Sequence, residues 1–151
     1  MKISEILITI KDILVSDTQL STYCHTIWGK NAKIFLGSNR QSPPEQSDMP
    51  IVMIDSIAGK EQLGMRQKNK IAIGVIIVKN EILEAANFVD FPGFGLVEEL
   101  REAVEDAIFR NQGFFKGGKI TVEEAESIPN FIFPVFASRT IIGIEHIILS
   151  Q

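Results

Sequence analysis

The sequence predicts an α+β fold: a mostly antiparallel β-sheet of about four to five strands, with an N-terminal helix pair and one central amphipathic helix packed on it. Three observations carry this. In residues 95–110, Leu96, Val97, Leu100, Ala103, Val104, Ala107 and Ile108 recur at three- and four-residue spacing, while Glu98, Glu99, Arg101, Glu102, Glu105 and Asp106 take the other side. The runs before and after that helix are rich in β-branched residues and alternate with period two. The chain also opens on a second apolar helical stripe, Ile3, Ile6, Leu7, Ile10, Ile13 and Leu14. A helix with one dry stripe has to be covered, and the alternating runs supply the sheet that covers it.

At 151 residues and 45% hydrophobic, the chain has the size of one domain (residues 1–151) and needs neither disulfides nor metals to close a core. The net charge of -4 gives no general reason to expect nucleic acid or a bilayer as partner. The charge is uneven, however. Residues 60–79 hold Lys60, Arg66, Lys68, Lys70 and Lys79 against Glu61 alone, whereas residues 81–126 hold eleven acids against Arg101, Arg110, Lys116 and Lys119. A molecule with two electrical ends suits head-to-tail contact between identical subunits. Cys24 is alone, so no intrachain disulfide or cysteine zinc cluster is expected and the composition reads as cytoplasmic. Glu5, Lys11 and Asp12 interrupt the apolar start, which therefore does not read as a secretion signal, and no run reaches the ~18 apolar residues of a membrane span.

Taken in order, the first helix runs from residue 2 to about 15. Ser16 and Asp17 form a break and a new N-cap, and Leu20, Cys24 and Ile27 carry a second short helix to a stop at Gly29. Residues 33–37 form a short strand, and residues 38–49, polar and holding Pro43 and Pro44, form a surface loop. Residues 51–57 are a strand, and residues 70–79 are another with Ile71, Ile73, Val75 and Ile77 on one face. The polar, basic stretch 59–69 between them reads as a long, mobile hairpin tip that reaches a partner. Residues 81–90 fit either a short helix or an irregular continuation. Residues 111–119 read as a loop anchored by Phe114 and Phe115, and residues 120–122 as a short strand.

At the end, residues 130–136 place Phe131, Phe133 and Val135 on one side with Pro134 at an edge or bulge. Residues 137–149 alternate, with Thr140, Ile142, Ile144 and His146 on one face and Arg139, Ile141, Gly143 and Glu145 on the other. Neither face is wholly polar, so the outer face is expected to be covered by a neighbouring element or another subunit.

No residue pattern announces chemistry: the reading assigns no catalytic residue, no metal ligand and no cofactor. His25 and His146 lie in no metal-binding spacing, and Glu145 and His146 point to opposite strand faces. The helix acids fit a solvated face, with Arg101 placed to pair with Glu105. There is no GxGxxG, no GxxxxGK[ST] and no GxSxG. The basic tip lacks interleaved aromatics, so sequence-specific nucleic-acid binding is not expected.

The order of elements resembles the tail terminator, or tail completion, proteins of long-tailed bacteriophages and prophages. The resemblance lies in the opening helix pair, the loop before Pro50-Ile51-Val52-Met53-Ile54, the polar-tipped hairpin, the 95–110 helix, and the closing Ile128-Pro129-Asn130-Phe131-Ile132-Phe133-Pro134 and Arg139-Thr140-Ile141-Ile142-Gly143-Ile144-Glu145. It implies an α/β sandwich that assembles into a homohexameric ring. Such a ring caps the tail tube, ends its polymerisation and joins the head–tail connector protein. The implied partners are further copies of the chain, the major tail tube protein and the connector, with no membrane. The implied location is the virion tail, and the host bacterial cytoplasm during assembly. Candidate subunit or tube contacts are Lys60, Arg66, Lys68, Arg139 and Glu145. Two other classes remain open: an adaptor domain that accepts a partner strand along residues 137–149, and a small-ligand enzyme with a pocket near Asp55 or His146.

Overall fold

Five strands form one mixed sheet in the order β1-β2-β3-β7-β6, and three helices lie on one of its faces. The computed structural model describes residues 2–37, 45–128 and 132–147, with the side chains of residues 46, 58–63, 127 and 147 outside that description. The N-terminal stripe forms α1 (Ile3–Ser16), burying Ile6, Ile10, Ile13 and Leu14. Asp17 caps α2 (Thr18–Trp28) by accepting from the Leu20 amide at 2.9 Å, and Gly29 ends it at φ 72, a left-handed conformation that costs glycine little. Both signals act as the sequence predicts.

β1 (Lys33–Leu36) runs parallel to β2 (Ile51–Leu63), and every other pair in the main sheet is antiparallel. β3 (Arg66–Val78) buries Ile71, Ile73, Val75 and Ile77 on the helix side, matching the alternation. α3 (Gly93–Arg110) presses Val97, Leu100, Val104, Ala107 and Ile108 onto β3 and β7 (Val135–Ile147). One apolar cluster joins these helix residues to Val52, Ile54, Phe136, Ile142 and Ile144 of the sheet. At the start of α3, a Cβ on Gly93 would lie 2.2 Å from the Phe136 ring, so the helix can approach the sheet there only as glycine.

The structure corrects four expectations. The stretch 59–69 is no long loop. β2 and β3 pair on to Leu63↔Arg66 and close in a two-residue turn, Gly64–Met65, with Gly64 at φ 65. Their polar ends stay in the ladder because β7 pairs with β3 along all thirteen residues, from Val78↔Val135 to Arg66↔Ile147. Residues 81–90 form neither a helix nor an irregular segment but a separate small hairpin, β4 (Leu83–Ala85) and β5 (Phe88–Asp90), turning at Ala86 and Asn87. The 120–122 strand is β6 (Lys119–Ile128), ten residues long and irregular in register between Val122 and Glu124. Its glutamates are tolerated because they lie at a solvent-facing sheet edge.

The fourth correction concerns the last strand. β7 begins at Val135, and Phe133–Pro134 sit in a turn before it; residues 129–131 lie outside the described residues. β7 is the inner strand between β3 and β6, so it has no free edge for a partner strand. The mixed polarity of its second face follows from that position, since Ala137 and Gly143 are shielded by flanking strands. Of the expected anchor pair only Phe115 is buried, in a 3-10 turn (Gln112–Phe115), while Phe114 points outward. Of the 38–49 loop, residues 38–44 lie outside the described residues, and Gln46–Asp48 forms a single 3-10 turn.

Candidate interaction surface

The sheet has one face under the helices and one face without them. On the uncovered face, side chains follow cross-strand rows set by the register. At one end the row is apolar and largely closed: Ile51, Ile76, Ala137 and Ile128, of which Ile51 and Ala137 are buried. The next row brings in Met53, Gly74, Arg139 and Glu126, and the one after that Asp55, Ala72, Ile141 and Glu124. Towards the β2–β3 turn the rows become ionic, with Lys70, Gly143 and Thr121, then Lys68, Glu145 and Lys119, then Arg66. Alternation alone puts Arg66, Lys68 and Lys70 on one face of β3.

Four of the five candidate contact residues therefore share this face. Lys60 pairs with Asn69 in the ladder, and its side chain lies outside the described residues. The structure engages the four within the chain. Arg66 Nη1 lies 3.7 Å from Glu145 Oε2, Lys68 donates to Glu123 on β6, and Arg139 donates to Glu126. Arg139 and Glu145 are six residues apart on β7, about 20 Å along the strand, so the four are two clusters rather than one.

The Lys68–Glu123 pair is the best-built feature of the face. Its lysine comes from β3 and its carboxylate from the irregular step in β6, and the two meet across the intervening β7. They can do so because β7 carries glycine at the crossing: a Cβ on Gly143 would stand 2.5 Å from both Lys68 Cε and Glu123 Oε1. The Lys68 side chain is only 14% exposed, its stem lying along the sheet. The Lys68 ammonium, with the Thr121 hydroxyl donating at 2.7 Å, holds the Glu123 carboxyl below the ordinary carboxylate range. No local pattern in the sequence singles out Glu123 or Glu126 as partners of these cations. The available signal was the glycine itself, since glycine inside a strand marks a close approach.

On the helix side, the chemistry-bearing residues serve packing. Asp17 caps α2 and also accepts from Arg110 at 2.7 and 3.3 Å and from Asn111 at 3.0 Å, which ties the helix pair to the end of α3. The Arg110 guanidinium holds the Asp17 carboxyl below its ordinary value. Arg101 pairs with Glu105 at 2.9 Å, as expected from their spacing. Cys24 is buried and burial raises its thiol pKa. Tyr23 is likewise pushed up by burial, with Glu99 adding to the effect.

Asp55 stands on the uncovered face and His146 on the helix side, so the structure does not bring the two together. His146 Nε2 donates to the Phe115 carbonyl at 2.8 Å, and Nδ1 is buried with no partner among the described residues. Beside it lies a depression of about 190 Å³ lined by Arg66, Gly117, Lys119, Glu145 and His146. That is smaller than the pockets that enclose drug-sized ligands. Among the described residues, no group of three or more His, Cys, Asp or Glu could hold a metal ion, and no helix is long and apolar enough to cross a membrane. Neither a scan of family models nor a search of curated proteins finds a match to this chain.

Proposed function

We propose that the chain is a virion assembly protein of a bacteriophage or prophage, a tail terminator whose subunits close into a homohexameric ring on the tail tube. On this reading the ring ends tube growth and presents a surface to the head–tail connector. The work is associative, with no reaction, cofactor or metal. The observation that carries the reading is the helix-free sheet face, with ionic rows towards the β2–β3 turn, set on a slab whose other side is closed by helices. Such a face serves contact between proteins. The resemblance in element order supplies the identity of the partners.

The test is light scattering after size exclusion, alone and with purified tail tubes, and electron microscopy of the mixture. A ring, or tubes capped at one end, is expected. A monomer that leaves tubes bare overturns the reading. A second reading, an adaptor that binds by edge-strand addition, is favoured by one observation: β6 lies at the sheet edge over ten residues. Against it, the irregular step and the exposed Glu123, Glu124 and Glu126 blunt that edge.

A further inference from the structure

The β4–β5 hairpin stands apart from everything else in the molecule. It forms its own two-stranded sheet, no other element packs on it extensively, and every residue from 81 to 90 is exposed. A hairpin with three residues per strand is at best marginally stable alone in water. Yet Leu83 is 48%, Phe88 61% and Val89 55% exposed. Register places Leu83, Ala85 and Phe88 on one side with Asp90, and Val89 on the other with Glu84. Both sides are thus apolar and each carries an acid, a pattern suited to insertion against another surface.

Charge selects that surface. Around the hairpin, Glu81, Glu84 and Asp90 face only Lys79, which pairs with Glu81 at 3.5 Å; Glu84 and Asp90 have no ion-pair partner among the described residues. Two such hairpins repel, which disfavours a two-fold hairpin-to-hairpin contact. At the other end of β3, thirteen residues and about 40 Å away, the described side chains Arg66, Lys68, Lys70, Lys116 and Lys119 outnumber Glu123 and Glu145. That end also exposes Met65 and contains the depression between Arg66, Lys119 and His146, with room for a side chain. Because the two complementary surfaces lie at opposite ends of one chain, one copy cannot satisfy itself.

We infer that the β4–β5 hairpin of one copy docks on the cationic end of a second copy, with Phe88 against Met65 and the depression and with Glu84 and Asp90 facing Lys70, Lys116 and Lys119. The inference rests on the assembly reading only in taking the partner to be another copy. The contact is heterologous, so it propagates head to tail.

The test uses full-length chains with Cys24→Ser, one carrying Val89→Cys and the other Lys119→Cys, mass-tagged differently and mixed with a short bismaleimide, in solution and on tail tubes. The expected product is the adduct between the two variants. Glu84→Lys with Asp90→Lys should lower its yield roughly tenfold or more, and Lys70→Glu with Lys116→Glu on the other copy should restore it. Apart from the buried Cys24, common to all the chains, these positions are exposed or, at Lys70, half-buried, and thermal melts matching the Cys24→Ser parent confirm folding. A dominant self-adduct of the Val89→Cys chain, no adduct in either condition, or yield indifferent to the charge swap each overturns the contact. Tubes capped by the chain without the adduct leave the assembly reading standing and remove this contact. Adduct formed while tubes stay bare supports the contact and removes the tail reading.

Discussion

The two faces of the sheet are built from the same strands but held by different forces. On the helix side, Ile71, Ile73, Ile142 and Ile144 are wholly buried, and the buried polar side chains there on β7, Ser138 and Thr140, donate to the Glu126 and Glu124 carbonyls. On the other side no helix covers the strands; Ala72, Gly74 and Ile141 are half-buried, Ile51 and Ala137 at the apolar end are buried, and towards the turn an ion pair is laid over a glycine. Apolar burial is strong and insensitive to salt, whereas cross-strand ion pairs are weak and screened. Stability therefore resides in one face, and the other is left to chemistry that a partner can share.

The largest expected effect contrasts neighbours on β7. Ile142→Ala, on the covered face, should cost about 3 kcal/mol, and Ile141→Ala, on the uncovered face, about 1 kcal/mol, read as urea midpoints. Equal losses would mean that something covers both faces equally. Next in size, Asp17→Ala removes a cap and the partner of Arg110 and Asn111 together, an expected loss of about 2 kcal/mol.

The pH dependence of that site has a definite sign. Asp17 titrates below the ordinary aspartate range in the folded chain, so its contribution is full above that range and fades as pH falls through the lowered folded value. Asp17→Asn keeps the capping oxygen but not the charge. Its stability deficit against the parent, followed by denaturation from pH 7 to pH 2, should shrink on the acid side and not on the neutral side.

Gly143→Ala sharpens the comparison from the other face. The added methyl displaces the Lys68–Glu123 pair, costing about 1 kcal/mol. Removing the lysine first, with Lys68→Met, should shrink that cost, because the flexible Met side chain can move aside. The smallest effect belongs to Arg66→Gln, within about 0.5 kcal/mol, since Arg66 is 61% exposed and its carboxylate is 3.7 Å away. That variant tests assembly far better than it tests folding.

What the sequence made legible follows from periodicity. Long amphipathic runs such as Leu96 to Ile108, and caps with a fixed chemistry such as Asp17 and Gly29, identified themselves. The α+β class and the set of helices emerged from them. The β4–β5 hairpin did not, because three residues per strand are too few for a period of two to differ from a helical one. The polar ends of β2 and β3 look like a loop from sequence, since their side chains resemble solvent-facing tip residues. The long alternation of β7 is matched in the structure by residues 66–78, which pair with it along their whole length. The ionic rows were invisible for a different reason. Arg66, Lys68, Glu123 and Glu145 meet only once strand order is known, and strand order is not a local property of any of them.

The central position of β7 also governs when the sheet can form. A nascent chain that has produced everything before Val135 holds β1, β2 and β3 with the β3 edge bare as well as that of β1, and β6 with no partner at all. Translation delivers the strand that joins them only after both of its neighbours. The Lys68–Glu123 crossing and the buried row of Phe136, Ile142 and Ile144 wait on the same event. Folding of this sheet is therefore completed only once β7 has been made, through contacts distant in sequence, and until then the edge of β3 stays open to chaperones and to its own copies.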